Sequence, residues 1–167
     1  MDRADRPTGL VGDASALIDL LDANESVITL IVEHVAPIIL PTPVLAEISQ
    51  LDDLRCTALG LTVLEPTLDQ LAEAADEHPA LSFADQVCLI VARDNGWVCF
   101  TSDGPLGTEC LARHVPTMRG LRPLIVLVEC GALSPAAAIA TVERIAQKNR
   151  YITAAIVGEF VEILAHL

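Results

Sequence analysis

Short apolar runs that read as strands alternate with segments of helical periodicity along most of this chain, and that alternation constrains its fold more than any other feature. The segment from Leu10 to Gly12 reads as a strand that turns at Asp13 into a helix with Ala16, Leu17, Leu20 and Leu21 on one face. VITLIVEHV has helical spacing, and Ile38, Ile39 and Leu40 form a buried strand bounded by prolines. Thr42 is placed to cap the next helix with Pro43 at its first position, which puts Glu47 about one turn inside it. SQLDDLRCTAL reads as one helix or two, LTVLEP as a third strand, and LDQLAEAADEH as a helix ending near Pro79. Ser82 caps a helix that Gly96 stops, with Asp85 at its third position; WVCFTSDG is a fourth strand. A helix over PLGTECLARH follows, then a brief fifth strand at VPT, then helices over 121–130, 134–147 and 153–164.

Strands separated by helices imply an α/β, three-layer sandwich, in which a parallel sheet of four to five strands is flanked by helices. A helical C-terminal tail over 121–167 completes the expected unit. Its 167 residues and 52% hydrophobic content suit a single domain spanning 1–167, with 1–8 as a flexible leader. Sheets of this kind place their sites outside the carboxyl ends of the strands. Asp13 and Asp103 both arrive there, while Glu47 and Asp85 are expected in early helix turns.

Four acids beside apolar segments are costly without a partner. Carboxylates gathered within a few ångströms raise one another's pKa, and an oxygen-loving divalent cation relieves the repulsion. Mg²⁺ keeps several waters and uses few protein carboxylates, which leaves room for a substrate phosphate. A metal-bound water then serves as nucleophile, so no serine, cysteine or histidine nucleophile is needed. Each acid also has a plainer reading. Asp13 reads as a helix cap, Asp85 as a first-turn charge, and Asp103 before Gly104 as a turn residue. Glu47 has the weakest plain reading, between Ala46 and Ile48. Asp19, Asp22, Asp52, Asp53, Asp69, Glu73 and Asp76 read as ordinary solvated faces.

Other compositions exclude other chemistry. Five scattered cysteines without a CxxC pair argue against a disulfide framework or a zinc ribbon, and read as small core side chains. Cys110 and His114 have one-turn spacing, yet no second pair completes a tetrahedral site, and His34, His78 and His166 are isolated. The apolar stretches are interrupted or too short to cross a bilayer, and MDRADRPTG lacks the apolar region of a signal peptide, so a cytoplasmic protein is expected. The net charge of −13 repels nucleic acid at long range. Any phosphate-binding surface is therefore local, and the stretch from Cys110 to Val128, which has no acid but contains Arg113, His114, Arg119 and Arg122, is the candidate. A solvated loop and helix end is the alternative for that stretch.

GDASALIDLL, ILPTPVLAEI, SFADQVCLIVARDNG and FTSDGPL, in this order and spacing, resemble the acidic elements of PIN-domain nucleases, specifically the small toxin-type ribonucleases. The resemblance runs from about Leu10 into the final helices and includes the tail GLRPLIVLVECGALSPAAAIATVERI. It implies four or five parallel strands between helices, a Mg²⁺ or Mn²⁺ site, and hydrolysis of RNA phosphodiesters. Asp13, Glu47, Asp85 and Asp103 match the family's acidic positions, and Ser15 with Thr101 or Ser102 match supporting hydroxyls. Where many members carry another acid two residues after the one matching Asp103, this chain has Pro105. The resemblance also implies an antitoxin partner and homodimers.

Receiver-type phosphotransfer domains need a lysine near the last strand, whereas Lys148 is the only lysine and lies in the tail. Haloacid-dehalogenase-type domains need an acid where Ser15 stands. The stronger alternative is a PIN-like scaffold acting as a protein-interaction module, catalytically weak or inactive. The charge of −13 and only five aromatic residues favour it, because they offer little phosphate attraction or base stacking.

Overall fold

A computed structural model describes residues 6–76 and 80–167. Its element order is β1 (Leu10–Gly12), α1 (Ala14–Asn24), α2 (Ser26–His34), β2 (Ile38–Pro41), α3 (Thr42–Leu45), α4 (Asp53–Leu59), β3 (Thr62–Leu64), α5 (Leu68–Ala74), α6 (Phe83–Asn95), β4 (Val98–Thr101), α7 (Gly104–Ala112), β5 (Thr117–Arg119), α8 (Arg122–Glu129), α9 (Pro135–Lys148) and α10 (Ala154–Ala165). The strands form one five-stranded, all-parallel sheet in the order β3-β2-β1-β4-β5. This is the three-layer α/β sandwich expected from the alternation. His78 and the first residues of the leader lie outside the described residues.

Central strands of a parallel sheet are covered on both faces and are therefore almost wholly apolar. All of β1 and β2 is buried, as are the last three residues of β4, whereas the edge strands β3 and β5 keep exposed positions. Helices α5, α6 and α7 pack together on one side, with α6 against β1 and β2; α1, α2, α8 and α9 pack together on the other. The tail joins the same core through Leu124, Val142, Ile145, Phe160 and Leu164.

Chain direction diverges between β1 and β4. From β1 the chain steps outward to β2 and β3, then returns to the opposite flank of β1 for β4 and continues outward to β5. Such a switch point leaves a crevice at the carboxyl ends, since the connections leaving the two strands go to different faces. The register aligns Gly12 with Phe100 and Thr101 with Arg119. Asp13, Thr101 and Arg119 are thereby brought to the carboxyl ends of three adjacent strands.

Local signals set most of the boundaries. Ser82 and Asp85 form a reciprocal capping box on α6, and Gly96 ends it in the left-handed conformation at φ 66°. Ser134 caps α9 ahead of Pro135, and Thr153, expected as the first residue of the last helix, caps α10 instead. Four expectations change. Helix α3 starts at Thr42, one residue early, and ends at Leu45, so Glu47 stands in the turn after it rather than inside it. The N–H groups of Glu47 and Ile48 bond back three residues, to Val44 and Leu45, which tightens the chain out of the α-helix. Strand β5 is Thr117–Arg119 rather than 115–117. Helix α5 closes at Ala74. Cys56, Cys88, Cys99 and Cys110 are buried, but Cys130 is exposed.

Among the described residues no helix is long and apolar enough to cross a membrane.

Candidate functional site

Asp13 is the most unusual side chain in the fold. It is 2% exposed and, among the described residues, one of three buried polar side chains in a core otherwise made of apolar ones. Its backbone N–H donates to the Phe100 carbonyl at 3.0 Å, continuing the β1–β4 ladder by one residue. Its carboxylate caps α1 by accepting from the Ala16 N–H at 2.8 Å, and accepts from the Ser15 hydroxyl at 2.9 Å and from the buried Thr101 hydroxyl. Burial nonetheless raises its pKa from 3.8 to about 6. Thr101, Ala16 and Ser15 oppose the shift by favouring the charged form, and the charge of Asp85 adds to it. Three donors therefore do not replace the water this carboxylate has lost.

The other acids come toward this end of the sheet by separate routes, with the charge of Asp85 acting on both Asp13 and Glu47. Cys88, buried on α6, donates its S–H to the Gly12 carbonyl at 3.4 Å and ties that helix beneath the end of β1. Its thiol is held well above the usual range by burial and then by the charges of Asp13 and Asp85. Asp85, one turn earlier on α6, is half-buried, and its Oδ2 accepts from the Ser82 N–H at 3.0 Å and hydroxyl at 2.8 Å. Glu47 is exposed as a residue, yet partial burial of its carboxyl, and then the charge of Asp85, raises its pKa. Asp103 follows β4: its Oδ1 caps α7 through the Leu106 N–H at 2.7 Å, and its own N–H donates to Thr101 Oγ1 at 2.9 Å. One hydroxyl, that of Thr101, thus joins Asp13 to Asp103.

The capping reading of Asp13 holds, Asp103 caps α7 instead of serving only as a turn residue, and Asp85 is more than a first-turn charge, because it closes a capping box. Capping does not account for a buried Asp13 beside a second carboxylate. Among the described residues none of the four acids is ion-paired with Lys, Arg or His. Nor, among those residues, do three His, Cys, Asp or Glu side chains stand close enough to form a ready-made metal cage. The donors are hard oxygens, and Mg²⁺ and Mn²⁺ suit them; Mg²⁺ commonly takes one or two carboxylates and fills the remaining positions with water and phosphate. Asp13 and Asp85 are the pair whose mutual repulsion a cation would relieve.

The expected basic stretch holds together only in part: Arg119 and Arg122 line one cavity with Ser102, whereas Arg113 does not reach it. Arg113 pairs with Glu109 at 2.7 Å and faces a separate pocket beside Glu73 and Asp76. Arg122 reaches Glu129 at 3.5 Å. Arg119 is at the site: its guanidinium lies against Gly107, where a Cβ would come within 2.9 Å, and its Nη2 reaches the Asp103 carbonyl at 3.5 Å. Cys110 is buried beside Cys99, while His114 is exposed in the left-handed conformation at φ 57°.

Several residues at the site escape sequence reasoning. Asp19 is half-buried rather than solvated; burial raises its pKa, opposed by hydrogen bonds from Asn149 and Ser102. With Ser15, Ser102 and Asp103 it lines a cavity of about 890 Å³, also lined by Lys148 at the end of α9 and by Asn149, Arg150 and Tyr151 from the turn between α9 and α10. The signal for Asp19 lies in its position four residues after Ser15, which puts both on one face of α1. Comparison of the chain with models of known protein families and with curated proteins yields no match to either.

Proposed function

We propose that this chain is a divalent-cation-dependent ribonuclease that hydrolyses RNA phosphodiester bonds, of the PIN-domain kind. The observation that carries the reading is Asp13. A carboxylate buried at the β1/β4 switch point, beside Asp85 and without a basic partner among the described residues, makes sense as a ligand for a cation. Asp13, Asp85 and Asp103, with Glu47 at the rim, would hold Mg²⁺ or Mn²⁺. A divalent ion there lowers the pKa of bound water and stabilises charge on phosphoryl oxygens.

The remaining work falls to the chain's own groups. Ser15 and Thr101 orient the Asp13 carboxylate, and Thr101 sets the Asp103 backbone through the same hydroxyl. Ser82 engages one oxygen of Asp85, Oδ2, through both its N–H and its hydroxyl, and does not engage the other. The positive ends of α1, α6 and α7 lie at Asp13, Asp85 and Asp103 and reduce the cost of concentrating negative charge. Arg119, at the end of β5, supplies the positive side chain for a phosphate beside Asp103. The toxin role and an antitoxin partner belong to this proposal through the resemblance alone.

One observation favours a second reading, a PIN-like scaffold that binds a protein partner. Helix α10 leaves Ile156, Val161 and Ile163 between 37% and 38% exposed. Cleavage of structured and single-stranded RNAs in Mg²⁺ or Mn²⁺, compared with EDTA, separates the two. The nuclease reading expects cation-dependent products that disappear in Asp13→Asn and Asp103→Asn. Activity that survives both substitutions, or no cleavage under any condition, overturns it.

A further inference from the structure

The chain is strongly acidic, yet three of its ten basic side chains line the cavity beside Asp103: Arg119, Lys148 and Arg150. Lys148 is its only lysine. Elsewhere Arg55, Arg93, Arg113 and Arg122 are taken up by Glu25, Glu73, Glu109 and Glu129 and Arg144 bonds the Ala140 carbonyl, whereas in the cavity Arg119 and Arg150 have no carboxylate partner among the described residues. Lys148 touches Asp22 at 3.2 Å but is 62% exposed. Beside them stands Tyr151, the chain's only tyrosine, 71% exposed. Arg150 donates to its hydroxyl at 2.9 Å and holds its guanidinium carbon 5.0 Å from the ring centroid.

This turn is built rather than loose. Asn149 donates from Nδ2 to Asp19 Oδ2 at 2.9 Å, across 130 residues of chain, and accepts the Tyr151 N–H on Oδ1 at 3.0 Å. Its carbonyl accepts from the Ile152 N–H at 3.0 Å. One side chain therefore fixes the turn to α1 and sets the backbone that presents Arg150 and Tyr151. A cation-bearing, aromatic-bearing turn held against a cavity that opens onto an acidic phosphodiester site is the arrangement that single-stranded nucleic acid requires: positive groups along the backbone and a ring for a base.

We infer that the α9–α10 turn is a strand-binding subsite, in which Lys148, Arg150 and Arg119 contact the phosphates of a single-stranded RNA and Tyr151 stacks on one of its bases. This deepens the nuclease reading and rests on it for the identity of the ligand. It also gives an acidic chain one place to hold a polyanion: there the three cations offset Asp19, Asp22 and Asp103, while the net charge of −13 repels duplexes and unrelated polyanions elsewhere.

Fluorescence anisotropy tests it, using a labelled, unstructured RNA of roughly 12 nucleotides, a length within the range such sites cover. EDTA prevents cleavage during the measurement. Tyr151→Ala is expected to weaken binding roughly tenfold, within the range for loss of one stacked base, while Tyr151→Phe stays near the wild type. Lys148→Gln and Arg150→Gln are expected each to reduce the slope of log affinity against log salt by about 0.7, the value for one fewer phosphate neutralised on a single strand. A duplex of the same sequence is expected to show no dependence on Tyr151. Absence of RNA binding, wild-type affinity in the Ala and Gln variants, or equal losses on duplex and single strand would overturn the subsite. The subsite and the nuclease reading fail separately. Cation-dependent cleavage with unchanged affinity and KM in these variants removes the subsite alone, and the expected binding pattern without cleavage in any divalent cation removes the nuclease alone.

Discussion

Replacing Asp13 by Asn in the absence of divalent cations is expected to stabilise the protein above pH 6 and to lose that advantage in acid. In the wild type, burial lifts the carboxyl from 3.8 to about 6, so between those values the folded chain holds a proton that the unfolded chain has released. Stability from this group is fully present below 3.8 and declines as pH rises through about 6. At about 1.36 kcal/mol for each pH unit, the gap is worth about 3 kcal/mol. Asn is neutral throughout and keeps an oxygen for the Ala16 N–H, so it removes the pH dependence while preserving the cap of α1. The stability of Asp13→Asn relative to the wild type should therefore rise by about 3 kcal/mol from pH 3.5 to pH 8, or roughly 6–12 °C in Tm. Urea denaturation of both proteins in EDTA across that range measures it. Parallel profiles would refute the reasoning, because they would mean that Asp13 ionises in the folded chain as easily as in the unfolded one. Adding Mn²⁺ at pH 7.5 is expected to stabilise only the wild type.

Asp103→Ala removes the α7 cap and is expected to cost about 1 kcal/mol in urea denaturation, whereas Asp103→Asn keeps the acceptor for Leu106 and stays close to wild-type stability while losing cleavage. Thr101→Val leaves the Asp103 N–H without its acceptor and Asp13 without a donor, for an expected loss of about 1–3 kcal/mol, measured the same way. Phe160→Ala empties the main anchor of α10, 3% exposed, and is expected to cost about 3–5 kcal/mol; a smaller change would mean that α10 contributes little to the common core.

What the sequence makes legible is what neighbouring residues decide. The Ser82–Asp85 cap, the Gly96 stop and the apolar runs at β1 and β2 follow from side-chain chemistry within a few residues. The strand order that places β4 beside β1 is a pairing of distant segments, and only it makes Asp13 and Asp103 neighbours of one hydroxyl. The acid-free stretch around Arg113 and Arg122 is a property of linear spacing. Glu109 lies one helical turn before Arg113 and Glu129 two turns after Arg122, both just outside the stretch and both in contact with its arginines. Asp19 is hidden for a related reason: its face of α1 is polar but turned toward the tail, where Asn149 covers it. Glu47 falls outside its helix because two prolines at the start of α3 say nothing about where the helix ends.

Electron paramagnetic resonance of free Mn²⁺, titrated at pH 7.5 with the wild type, Asp13→Asn and Asp103→Asn, tests the cation site most directly. A net charge of −13 attracts Mn²⁺ weakly over the whole surface, and the variants share that background. The wild type is expected to quench the signal saturably at one class of site that both variants lose. Equal quenching by Asp13→Asn would contradict it, because the ion would then be held somewhere other than the switch point between β1 and β4.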